Sequence, residues 1–92
     1  MGARPQHSIV YRKFCKMLRK WRSEANLSQR ALASALGKPP SYVHKVEVAD
    51  RRLDPLEFIQ WCVGCGREPE SCLADIRRNV GLTKVMRPRA RK

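Results

Sequence analysis

The sequence predicts an all-α domain of five helices, and three observations carry this. Apolar residues recur at three- and four-residue steps over residues 9–25, the signature of an amphipathic helix. Helix start and stop residues punctuate the chain at helical intervals: Ser8, Ser28 and Asp54-Pro55 as starts, Asn26, Gly37 and Gly66 as stops. Between residues 28 and 47 the pattern resolves into two short helices on either side of Gly37. Ninety-two residues allow one domain with a small core, which favours help from a partner subunit.

Residues 1–8, with Gly2, Pro5 and little apolar content, read as a loose arm whose Ser8 caps the first helix. In residues 9–25 the side chains of Val10, Phe14, Met17, Leu18, Trp21 and Ala25 form one stripe. Arg12, Lys13, Lys16, Arg19, Lys20 and Ser23 fall elsewhere, and Asn26 is the expected C-cap. Ser28 then caps a helix over residues 29–36, and Gly37 stops it in the left-handed region that glycine tolerates. Pro40 opens the next helix, through Glu47, because a missing N–H costs nothing in a first turn; Pro39, pushed toward extended geometry, suits the cap before it. Leu32, Leu36, Val43 and Val46 supply the apolar side of this pair, and Ala33 is small where the two must approach. Two helices of about two turns joined by a turn containing Gly are a helix-turn-helix motif, and its second helix presents Ser41, His44 and Lys45 outward.

Residues 48–53 form a loop carrying Arg51 and Arg52. Asp54-Pro55-Leu56-Glu57 has the spacing of a capping box, with Pro at the first helical position, and starts a helix that runs to about Cys65 and ends near Gly66. Phe58, Trp61, Cys62 and Cys65 lie on one side of it, and Leu56, Ile59 and Val63 on the other. A helix apolar on both sides in so small a protein needs a second cover, expected from a dimer partner or from the C-terminal segment. A last helix over residues 68–78 buries Cys72, Leu73 and Ile76. The domain therefore spans residues 9–78, and residues 79–92 are a basic tail. The tail's Val80, Leu82, Val85 and Met86 are candidates for a swapped strand or extra helix at a dimer interface, and its last six residues are expected to be disordered.

The charge is lopsided. Twenty Lys and Arg against eight Asp and Glu give a net charge of +12. Residues 1–45 hold ten of the basic residues and one acid, Glu24, and residues 80–92 hold five basic residues and no acid. Basic excess on this scale suits a polyanionic partner. No apolar run reaches the roughly 18 residues of a membrane span, and the N-terminus lacks the apolar centre of a signal peptide. A cytoplasmic location without membrane association is the expectation.

Cys62 and Cys65, with Cys72 and Cys15, have a spacing seen among zinc ligands, but they stand where helical periodicity asks for core side chains, and thiols pack as small hydrophobes. No metal and no cofactor are expected. His7 and His44 stand in no nucleophile motif and no glycine-rich loop cradles phosphate, so no enzyme is expected.

The chain resembles the Cro/C1-type (XRE) helix-turn-helix family of phage repressors and their bacterial relatives. The residues that carry the likeness are Leu27-Ser28-Gln29, Leu32-Ala33, Gly37, Ser41-Tyr42-Val43 and Lys45-Val46-Glu47, and it extends over roughly residues 14–73. It implies a lambda-repressor-like domain. By this likeness Gln29 would bond a phosphate, Pro40, Ser41, His44 and Lys45 would meet base edges, and Arg51 and Arg52 would contact the backbone. Arg22 and Glu47 would form an ion pair tying the first helix to the recognition helix. Tyr42 has two readings, packing on the sugar-phosphate backbone or at the core edge. One departure matters: the family commonly has Gln or Ser where this chain has Pro40, whose ring offers a base only apolar contact, so direct readout shifts to Ser41, His44 and Lys45 and to DNA shape.

These readings converge on a small homodimeric repressor that binds duplex DNA at a palindromic operator and occludes a promoter. Leu56, Ile59 and Val63 are the candidate dimer face. The rival is a protein-interaction adaptor, antitoxin-like or RNA- and ribosome-associated, that uses the same fold to hold a second protein.

Overall fold

The computed structural model describes residues 8–81 and 88–90. Among them are five helices and no strand: α1 (Ile9–Glu24), α2 (Gln29–Ala35), α3 (Tyr42–Glu47), α4 (Pro55–Gly64) and α5 (Pro69–Val80). The expectations for the N-terminal arm, for the segment after Gly81 and for the last two residues fall largely outside the described residues.

Local sequence accounts for most helix ends. Ser8 Oγ accepts from the Tyr11 N–H at 3.1 Å and Ser28 Oγ from the Ala31 N–H at 3.0 Å. The capping box at α4 is complete: Asp54 Oδ1 accepts from the Glu57 N–H at 2.8 Å, and Glu57 Oε1 accepts from the Asp54 N–H at 3.2 Å. At the other ends, the first four helices all close with the same pair of backbone bonds around a left-handed residue. Gly37 and Gly66 take that position after α2 and α4, and Asn26 does so after α1 with φ 59°. After α3 it falls to Ala49, at φ 65°, with Asp50 N–H donating to the Lys45 carbonyl at 2.8 Å and Ala49 N–H to the Val46 carbonyl at 3.1 Å.

The helices pack α1 on α3 and α5, α2 on α3 and α4, and α4 on α5. Leu18, Leu32, Val43, Val46, Trp61, Cys62 and Cys72 form the fully buried centre. Trp61 joins α4 to α1, its indole N–H donating to the Leu18 carbonyl at 3.2 Å. Gly64 lets α4 lie against α2: a Cβ there would stand 2.9 Å from Leu32 Cδ1.

Four details differ from the sequence reading. The buried line of α1 is Tyr11, Cys15, Leu18 and Trp21, while Val10 is exposed. Tyr11 and Cys15 pack with Ala49 in a second small cluster under the turn after α3, a contact between residues far apart in the chain. α3 begins at Tyr42 rather than Pro40. Its lead-in is a tight turn in which the Tyr42 N–H donates to the Pro39 carbonyl at 3.0 Å, an i→i+3 bond of the kind that often opens a helix. α5 runs two residues further than expected, to Val80, which is buried, whereas Leu73 is 60% exposed. The steps Cys72, Ile76, Val80 set the buried line, and Leu73 lies about 100° around the helix from Cys72.

All four cysteines are free thiols buried in the protein. Burial pushes the Cys62 thiol up strongly and the Cys65 thiol up to about 11, which keeps both protonated at neutral pH. Among the described residues no group of three or more His, Cys, Asp or Glu side chains is placed to hold a metal ion, and no helix is long and apolar enough to cross a membrane.

Candidate nucleic-acid interface

The interface is built on α3. Tyr42, Val43 and Val46 are buried and clamp the helix to the body of the domain. That fixes the opposite side outward, where Ser41, His44, Lys45 and Val48 are exposed, with Pro40 exposed just before them. The outward residues thus follow one another at three- and four-residue steps along a single face. Val48 is the C-cap, the first residue after α3. The α3 periodicity, continued one step past Lys45, assigns it to this face.

A charged network fixes how α3 is held. Arg22 Nε donates to Glu47 Oε2 at 2.6 Å and Arg22 Nη2 to Glu47 Oε1 at 3.1 Å. The same guanidinium reaches the Leu27 carbonyl through Nη1 at 2.8 Å, and Gln29 Nε2 donates to Glu47 Oε1 at 2.9 Å. The Glu47 side chain is 3% exposed and that of Arg22 11%. The hydrogen bonds from Arg22 to Glu47 raise the guanidinium pKa above its ordinary value. One carboxylate thereby ties the last residue of α3 to α1 and to the first residue of α2.

Gln29, expected to bond a phosphate, has its amide nitrogen aimed by Glu47 at the start of α2. Its second amide N–H and its backbone N–H remain at that helix end.

Tyr42 packs at the core edge, one of its two readings. It is 5% exposed, and burial is the main cause of its raised phenol pKa. The face of its ring is taken by cations of this chain, with Lys38 Nζ 5.3 Å and Arg51 Cζ 4.9 Å from the centroid. Arg51 also makes a two-pronged pair with Glu57, Nη1 to Oε1 at 3.1 Å and Nη2 to Oε2 at 3.0 Å, and Lys38 Nζ stands 3.6 Å from the same carboxylate. The Arg51 bonds hold the Glu57 carboxyl below the usual range. Arg52 lies over the Tyr11 ring with Cζ 4.0 Å from the centroid. Both arginines are therefore anchored on the turn after α3 by contacts that separation in sequence conceals.

On α1, Arg12, Lys13, Lys16, Arg19 and Lys20 are all exposed. Lys20 pairs with Glu24 at 3.8 Å. On α4, Leu56, Ile59 and Val63 are exposed, so the outer apolar face has no cover within the described residues.

This geometry, an outward polar helix locked by a buried ion pair above a two-helix motif, agrees with the comparisons to known proteins. The family model described as a helix-turn-helix domain matches residues 16–74. A solved structure, an XRE-family like protein from Pseudomonas syringae pv. tomato str. DC3000, is 39% identical, with a TM-score of 0.73; the match covers 78% of this chain and 88% of that one. No curated protein matches the chain. The chain belongs to the XRE-type helix-turn-helix family of DNA-binding regulators.

Proposed function

We propose that this protein is a sequence-specific repressor that binds a palindromic operator as a homodimer and blocks a promoter by occupying it. The observation that carries this reading is the outward face of α3, anchored from beneath by Arg22, Gln29 and Glu47. Ser41, His44 and Lys45 read base edges in the major groove, and Pro40 contributes an apolar contact at the groove wall. A well-placed Lys45 donating to a guanine is worth about 1–3 kcal/mol of base discrimination. Gln29, Arg51 and Arg52 bind phosphates, and the basic excess of the chain gives affinity a steep salt dependence.

Two-fold symmetry places the recognition helices at half-sites about one helical turn, roughly 34 Å, apart. The exposed apolar face of Leu56, Ile59 and Val63 supports a second subunit as its cover. The same face supports a second reading, an adaptor whose main partner is another protein. Selection of bound duplexes from a random pool separates the two. An enriched two-fold symmetric sequence is expected; a pool that stays random supports the adaptor instead.

A further inference from the structure

Apart from Pro40 in its lead-in, the outward face of α3 carries one apolar side chain, that of Val48. The Val48 N–H donates to the His44 carbonyl at 3.0 Å, which places Val48 one turn beyond His44. Ser41 lies one turn before His44. Val43 and Val46 are fully buried, but Val48 is 49% exposed and belongs to neither apolar cluster of the domain. Its position at the C-cap of α3 gives a β-branched apolar residue no advantage for the helix, since an exposed helix end favours a cation. The packing of the domain therefore leaves this isopropyl group outside both clusters.

We propose that Val48 is a base-reading residue that packs against a thymine 5-methyl group, the apolar feature a base pair presents in the major groove. The proposal rests on the assignment of α3 as the recognition helix and extends it by one position. Seven residues at about 1.5 Å per residue separate Ser41 from Val48 by about 10 Å.

The test uses the duplex recovered by binding-site selection, with each thymine of one half-site replaced in turn by 2′-deoxyuridine, which removes the methyl group alone. Binding by the wild-type protein and by Val48→Ala is measured on every duplex. One thymine is expected at which the replacement weakens wild-type binding about fourfold, the worth of one methyl-sized apolar contact. At that position Val48→Ala is expected to bind both duplexes equally while keeping the wild-type unfolding temperature, because the side chain is exposed. A methyl effect of the same size in both proteins, or no thymine sensitivity at all, overturns the assignment of Val48 and leaves the recognition helix in place. A selection that enriches no sequence overturns both.

Discussion

Arg22 in α1 and Glu47 at the end of α3 meet in a two-pronged ion pair almost closed to solvent. Their partnership sets the angle at which α3 leaves the domain, and the pair is satisfied further by Leu27 and Gln29. Removing either member leaves a buried charge without its counterpart. Arg22→Ala and Glu47→Ala are each expected to cost about 3 kcal/mol, with the double variant costing clearly less than the sum of the two. Arg22→Lys is expected to recover only part of the loss, because an ammonium cannot span both carboxylate oxygens and the Leu27 carbonyl together. Urea unfolding of the four variants checks this.

Base reading and phosphate binding leave different marks. Lys45→Ala is expected to relax preference at one operator position by about tenfold. Arg52→Ala is expected to weaken all duplexes alike and to lower the slope of log affinity against log salt by about one. Titrations of operator, single-base variants and unrelated duplex at several salt concentrations distinguish the two.

Glu57 makes stability depend on pH. Its folded-state pKa is lowered, chiefly by the Arg51 hydrogen bonds, so its contribution is present above the unfolded carboxyl value of about 4.3 and fades as pH falls below it. Glu57→Gln keeps the capping hydrogen bond but not the charge. The variant is expected to be less stable than wild type at pH 7 by under about 1 kcal/mol, given the exposure of Arg51, with the gap closing below about pH 4. Thermal unfolding across that range reads the difference.

Ala49 is held at a positive φ and buried at once. Relief of the left-handed conformation on going to Gly is worth about 1–2 kcal/mol, against about 0.8 kcal/mol for the lost burial of a methyl group. Ala49→Gly is therefore expected to stay within about 1 kcal/mol of wild type. Ala49→Val adds bulk and β-branching at the same φ and is expected to lose more than about 2 kcal/mol by the same urea assay.

Leu56→Glu and Val63→Glu place charges on the outer face of α4. Because these positions are exposed in the single chain, the unfolding temperature at low concentration is expected to hold, while sedimentation shifts toward monomer and operator affinity falls.

What the sequence made legible was local. The capping box at Asp54 and Glu57, the Ser28 cap and the glycine turn at Gly37 depend on neighbours within a few residues, and the spacing alone identifies them. The burial of Tyr11 and Cys15 depends on Ala49, which lies far along the chain, so the α1 stripe read from the sequence found Leu18 and Trp21, with Phe14, Met17 and Ala25 against the core, but missed those two and included the exposed Val10. Pro40 satisfied the rule for a first helical residue, yet the Pro39 carbonyl closes a tighter turn and delays the helix to Tyr42. Tyr42 had two readings in the sequence, and only the packing of Lys38 and Arg51 around its ring shows how far it is buried. Val48 follows the end of α3 at Glu47, as the sequence reading had it, and still continues the period of its outward face.

The orientation of α3 in the groove is most directly tested by dimethyl sulfate footprinting, which reports guanine N7 in the major groove. On the selected operator, the account predicts protection in two patches on one face of the duplex, centred about one helical turn apart. N7 reactivity unchanged by saturating protein, or protection without two-fold spacing, would contradict it.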